Sequence, residues 1–261
     1  MPEEINGVRS VKKVLDILDC FSFERVELGV MDLSQSLRIP KATVSRLAGE
    51  LVRGGFLEQD AQTKKFRLGL KLFYFGSIVL QQMKIADLAL PVMYRIRDQI
   101  GESVHLNIIQ DNERMCMQYL DCSHDLRPVV HVGQRSPLYA GASAKALLAF
   151  MEDAEIDRVI AQTGLARITG ATICDPRKLK EELAKIRGLG YAFSIGERIP
   201  GLASISAPVW NYSGRVVASL SVALPEIRLN KNQLESYICL IKEGSSSLSR
   251  QLGWNPAREK N

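Results

Sequence analysis

The chain has 261 residues, 46% hydrophobic and 24% charged, with a formal net charge of +5. That length fits one large domain or two modest ones, and either can bury a sizeable core. The most apolar stretches, residues 70–80 and 138–151, are interrupted by Lys71, Gly76, Ser143 and Lys145, short of the roughly 18 apolar residues a membrane span needs. The acidic start Met1-Pro2-Glu3-Glu4 lacks the basic-then-apolar layout of a signal peptide. Secreted, fibrous, membrane and disordered classes are excluded, and a cytoplasmic chain is expected.

Five scattered cysteines, Cys20, Cys116, Cys122, Cys174 and Cys239, contain no C-x-x-C. They read as reduced, mostly buried thiols rather than a disulfide framework or a zinc site. His105, His124 and His131 show no metal-ligand pairing, so neither a metal nor a cofactor is expected. The charge is uneven. Between Arg38 and Lys71 stand eight basic residues against three acidic ones, and localised excess of this kind is the footprint of a polyanion partner.

In chain order, residues 8–21 predict a helix with Val11, Val14, Leu15, Leu18 and Phe21 on one face. A short helix follows at 31–37. After the turn Arg38-Ile39-Pro40 comes a third helix at 41–53, its inner stripe Val44, Leu47, Ala48 and Leu51, stopped by Gly54-Gly55. Alternating patterns at 56–59 and 65–68 around a polar tip predict a hairpin. Three helices and a hairpin describe a winged helix-turn-helix, in which the third helix lies in the major groove. Its exposed face would present Lys41, Thr43, Ser45, Arg46 and Glu50, with Lys64, Lys65 and Arg67 at the wing. Arg46 could fork onto guanine, while the hydroxyls suit phosphate or base contacts. The alternative is a small helical domain whose basic residues merely solvate its surface.

Residues 69–101 read as largely helical, broken near Lys84 and again at Pro91. Leu70, Phe73, Tyr74, Val79 and Leu80 offer more apolar surface there than one neighbour needs, as a linker, a dimer face or ordinary core. Beyond Gly101 the texture turns to mixed α/β. Strands are predicted at 103–110, 114–121, 129–132, 191–195, 202–210 and 216–223. Helices are predicted at 141–151, 152–163, 176–188 and 230–252, before a polar tail at 255–261.

Signs of catalysis are thin. There is no phosphate-binding or dinucleotide-binding glycine motif, no G-x-S-x-G and no H-E-x-x-H. Gly188-Leu189-Gly190 reads as a helix end. Ser143 and Lys145 sit two apart on a helix and face different ways, so Lys145 is expected in solvent. No catalytic residue is assigned. The start of the helix at Gly141 and the serines Ser204, Ser206, Ser219 and Ser221 could instead line a neutral, donor-rich cavity for a small acid, or simply pack tightly.

Several blocks in order resemble the isocitrate lyase regulator (IclR) family. They are residues 8–18, the run Lys41-Ala42-Thr43-Val44-Ser45-Arg46-Leu47, Gly55-Phe56-Leu57 and Phe66-Arg67-Leu68-Gly69. Farther on come Ser136-Pro137-Leu138-Tyr139-Ala140 with residues 143–149, then residues 187–191, Gly196-Glu197, Gly201-Leu202 and Ser206-Ala207-Pro208-Val209. The resemblance runs from about residue 8 to 253. It implies an α+β chain in which a winged helix-turn-helix at 1–69 is joined by a helical, dimerising linker at 70–100 to a GAF-like effector-binding domain at 101–254. It implies a transcription regulator that binds double-stranded, partly palindromic DNA as a dimer or dimer of dimers, through Lys41, Ala42, Thr43, Ser45, Arg46, Lys64, Lys65 and Arg67. It also implies control by a small organic or sugar acid held by Ala142, Ser143, Ser194, Ser204, Ser221 and Ala223. Ser194 stands where an aspartate is common and Ala223 where a serine is found, which favours a ligand larger or less polar than glyoxylate or pyruvate. No arginine stands among these positions, so the start of the Gly141 helix is expected to balance a carboxylate. The rival readings are a serine-lined hydrolase and an architectural DNA-binding protein without ligand control.

Overall fold

The computed structural model describes residues 9–82 and 84–255. Val8, the tail 256–261 and the side chains of Val79 and Leu80 lie outside it. The chain divides into two compact units, Met1–Met83 and Lys84–Asn261, and each is treated by itself.

The first unit contains α1 (Arg9–Asp19), α2 (Val30–Leu37), α3 (Lys41–Arg53), β1 (Leu57–Gln59), β2 (Phe66–Leu68) and α4 (Leu70–Gln82). At the start of α2, the Asp32 carboxylate accepts the Gly29 N–H at 2.8 Å. Pro40 precedes α3 with φ −59°, a conformation already suited to a helix start. Val44, Leu47, Ala48 and Leu51 of α3 are buried with Ile17, Leu33, Leu57 and Phe66, as the helical spacing predicts. Helix α1 departs from expectation. Val11 and Leu15 are each 55% exposed, and Ile17 is fully buried instead, flanked by Val14, Leu18 and Phe21. The α1 sequence offers two overlapping apolar stripes, and packing against α3 selects the one centred on Ile17. The β1–β2 ladder is antiparallel, Leu57 opposite Leu68 and Gln59 opposite Phe66. Its tip is closed by Asp60, whose Oδ1 accepts the N–H groups of Gln62 and Thr63. Lys71 ties the first turn of α4 to this body, donating to the Gly54 carbonyl at 3.0 Å and lying over the Phe56 ring.

The second unit is built on one antiparallel sheet of six strands in the order β5-β4-β3-β8-β7-β6. The strands are β3 (Ser103–Gln110), β4 (Glu113–Leu120), β5 (Arg135–Pro137), β6 (Ala192–Ile195), β7 (Leu202–Trp210) and β8 (Val216–Pro225). Its helices are α5 (Lys84–Ile100), α6 (Ala142–Leu148), α7 (Asp153–Thr163), α8 (Pro176–Leu189) and α9 (Lys231–Gln251). Successive strand residues face opposite sides, so Ser219 and Leu220 of β8 mark the two faces. Ser219 Oγ donates to the Ser143 carbonyl of α6 at 3.0 Å. Leu220 lies against Gly244 of α9, where a Cβ would also come within 2.5 Å of Ile96. Glycine there lets α9 approach both α5 and the sheet.

Three predicted details change. Pro91 lies inside α5 and does not break it. Ala89, Val92, Met93 and Ile96 around it are buried, and their packing outweighs the roughly 3 kcal/mol that an interior proline costs a helix. Residues 129–132 form no strand. Val129 and Val132 are exposed, and the edge strand is β5, with Ser136 opposite Arg114. The β-branched run thus marks a connection rather than a ladder. Helix α6 ends at Leu148, three residues early. Among the described residues, no helix is long and apolar enough to cross a membrane.

Candidate nucleic-acid interface and ligand cavity

Helix α3 turns Val44, Leu47 and Ala48 inward and leaves Lys41, Ala42, Ser45 and Arg46 exposed, with Thr43 partly so. The basic residues around it are not equivalent. Arg67 forks onto Glu58 through Nε at 3.0 Å and Nη2 at 2.8 Å, and Arg53 is paired with Glu50. The side chains of Lys41, Arg46, Lys64 and Lys65 have no hydrogen-bond or ion-pair partner among the described residues. Lys64 sits at the wing tip with φ 58°. An anion approaching this face meets those four charges already free, whereas Arg67 must first be drawn from Glu58.

In the second unit four of the serines singled out in the sequence come together, while Ser206 and Ser219 do not line the same cavity. Ser143, Ser194, Ser204, Ser221 and Ala223 line one cavity of about 40 Å³. Ala142 stands behind it, and its N–H donates to Ser194 Oγ at 2.9 Å. Gly141, whose φ of 90° suits glycine alone, donates its N–H to Glu197 Oε2 at 3.0 Å. Of the two N–H groups expected to meet a ligand carboxylate, those of Ala142 and Ser143, that of Ala142 is therefore engaged within the protein.

The sequence reading missed the charged wall of this cavity. Arg114 and Arg198 line it together with His105, Asn107 and Glu197. Arg114, from β4, is 3% exposed. Its Nε donates to Ser136 Oγ at 2.8 Å and its Nη1 to Asn107 Oδ1 at 2.7 Å. Asn107 in turn donates from Nδ2 to Ser221 Oγ at 3.2 Å. Ser221 and Ser206 share a hydrogen bond of 2.7 Å, and Ser206 donates to the Leu220 carbonyl. Because Arg114 can only donate, the direction of this chain is set, and the Ser221 proton points to Ser206 or to the cavity. Burial, and then the nearby Arg198, push the Arg114 guanidinium down to about 10, and burial lowers Arg198 as well. His105 is held neutral at about 3, first by burial and then by Arg114 and Arg198. Its Nε2 is buried without a partner among the described residues.

Lys145 is the largest correction. It was expected in solvent, yet it is fully buried, with Nζ 2.6 Å from Glu197 Oε1 and 3.0 Å from Glu182 Oε1. Helix α8 and the turn after β6, which carry Glu182 and Glu197, enclose the side chain that an isolated helix would expose. Lys145 and the Gly141 N–H thus consume the Glu197 carboxylate. Thr169 and Thr172 donate to the Glu197 carbonyl at 3.1 and 2.8 Å, which fixes the turn carrying Arg198. Cys116 and Cys122 are buried, as expected of packing thiols. His105 and Ser221 face each other across β3 and β8, but a histidine held neutral to about pH 3 and not bonded to a serine is poorly suited to activate one.

A winged helix-turn-helix with free cations on its third helix, and a separate sheet domain enclosing a cationic cavity, define a DNA-binding regulator with a ligand-sensing half. The comparisons place it more closely. The IclR helix-turn-helix domain matches residues 10–61, and the C-terminal domain of bacterial IclR transcriptional regulators matches residues 77–250. The chain is 32% identical over 249 residues to the HTH-type transcriptional regulator KipR of Bacillus subtilis, covering 95% of this chain and 99% of that one. It is 29% identical over 255 residues to the HTH-type transcriptional regulator KdgR of Escherichia coli, covering 98% and 97%. A crystal structure of an IclR homolog from Microbacterium hydrocarbonoxydans, complexed with 4-hydroxybenzoate, superposes with a TM-score of 0.81 at 25% identity, covering 93% of this chain and 98% of that one. The chain belongs to the IclR family of bacterial transcriptional regulators, and its relatives are named as regulators rather than enzymes.

Proposed function

We propose that this cytoplasmic regulator reads a partly palindromic operator with α3 and the wing of residues 1–69. Lys41, Ala42, Thr43, Ser45 and Arg46 meet the major groove, and Lys64, Lys65 and Arg67 meet phosphates. It acts as a dimer or dimer of dimers, with residues 70–100 as linker. Leu70, Phe73 and Tyr74, 77%, 74% and 59% exposed, supply an apolar face for a two-fold partner. The cavity in residues 101–254 takes a small acid as effector, and binding shifts the population between two arrangements of the winged helices. The observation that carries this reading is the pair of unneutralised guanidiniums, Arg114 and Arg198, at a cavity formed by the predicted effector positions. The acid bound to the Microbacterium homolog is consistent with it. In a gel-shift titration, Arg46→Ala should weaken binding at the preferred site by about 1–3 kcal/mol and relax base preference there. Unchanged operator affinity would refute α3 as the reading helix.

A further inference from the structure

Two guanidiniums at the cavity, those of Arg114 and Arg198, have no direct acidic partner among the described residues. Arg114 is almost completely buried and bonded only to the neutral oxygens of Ser136 and Asn107. Arg198 is partly buried and has neither a hydrogen bond nor an ion pair among the described residues. The acid on the cavity wall, Glu197, is consumed by Lys145 and by the Gly141 N–H. Buried charge is unfavourable unless it is paired, and two carboxylates would give each guanidinium an ion pair of its own.

From these two unpartnered guanidiniums we propose that the effector is a short dianion, a dicarboxylate with one carboxylate on Arg114 and the other on Arg198. The inference rests on the effector reading above and narrows it to a chemical class. Size points the same way. The cavity is small, about 40 Å³, which argues for a short ligand rather than the larger one that Ser194 and Ala223 by themselves favour. A neutral side chain in the cavity adds selectivity. His105 is 4% exposed with Nε2 unsatisfied among the described residues. A neutral imidazole nitrogen complements a hydroxyl or keto group on the ligand backbone, as donor or as acceptor. Asn107 holds Arg114 in place through Nη1 while its own amide is held by Ser221, so the Arg114 site is rigid. The Arg198 site, free of internal bonds, can close onto the second carboxylate.

Calorimetry on the full-length protein with tartronate, malonate, lactate and inorganic phosphate tests the proposal. Tartronate should bind at least about tenfold more tightly than lactate, the gain expected of one further charge-assisted pair. It should also bind more tightly than malonate, which lacks the hydroxyl. Arg198→Gln should narrow the gap between tartronate and lactate to less than about threefold, because it removes the second anion site. Equal binding of tartronate and lactate to the wild type, or equal loss of both acids in Arg198→Gln, would overturn the dianion and leave the effector reading standing. Phosphate binding more tightly than either dicarboxylate would replace the dicarboxylate with a phosphate. Binding of none of the four would overturn both readings.

Discussion

The cations of the two units live in opposite environments. On α3 and the wing, Lys41, Arg46, Lys64 and Lys65 stand exposed, where a charge is well hydrated and costs the fold little. In the second unit Arg114, Arg198 and Lys145 are withdrawn from water, where each charge must be balanced. Lys145 is balanced internally by Glu182 and Glu197, whereas the two arginines have no acidic partner among the described residues. Free cations at the surface suit a long polyanion whose affinity falls with salt. Free cations in a cavity suit a small anion that neutralises them on entry. One residue class therefore serves two recognitions, and burial separates them.

The comparison breaks most sharply at Lys145. Lys145→Met should destabilise the second unit by about 3–5 kcal/mol, because it strands two carboxylates against a buried methionine. Urea unfolding followed by tryptophan fluorescence reports that unit alone, since the protein's two tryptophans, Trp210 and Trp254, both lie in it. A change below 1 kcal/mol, the range of an exposed pair, would place Lys145 with the surface cations.

A smaller effect is expected from acid. His105 is neutral in the folded protein down to about pH 3, against an ordinary value of 6.5, so between those values the unfolded chain binds the extra proton. The second unit should therefore lose up to about 1.4 kcal/mol of stability per pH unit as pH falls through that window, with no contribution from this group above it. Comparing the urea midpoint with that of His105→Leu from pH 7 to 5 isolates the effect, and parallel profiles would contradict it.

The smallest effect belongs to the exposed cations. Lys64→Ala with Lys65→Ala should leave stability unchanged and reduce the slope of log affinity against log salt by about 0.9 for each phosphate no longer neutralised. Arg67→Ala should reduce it less, because Glu58 already holds that guanidinium. A loss of the full 0.9 or so of slope in Arg67→Ala alone, measured by fluorescence anisotropy on operator DNA, would show that the wing ion pair opens freely on DNA.

What was legible in the sequence was local. The bounds of α3 follow from Pro40, a 3.6-residue apolar stripe and the glycine stop, signals within about four helical turns. The charge excess from Arg38 to Lys71 lies in one continuous window, so its target could be read without a fold. The cavity serines were found because strand alternation and family blocks place them, and five of the six predicted positions line one cavity. What the tertiary structure alone decided is where the buried charges meet. Arg114 and Arg198 are far apart in the chain and sit in no basic cluster, and Arg114 looks like an ordinary polar residue of an alternating strand. Lys145 reads as solvated because helical periodicity cannot show that Glu182 of α8 and Glu197 of the turn after β6 close over it. The same limit explains α1, where the Val11–Leu15 and Ile17 stripes fit the helix equally well and only packing against α3 distinguishes them. Periodicity and composition report on a residue's neighbours along the chain. The electrostatic cost that makes a cavity select an anion depends on neighbours across it, and those exist only once the sheet has formed.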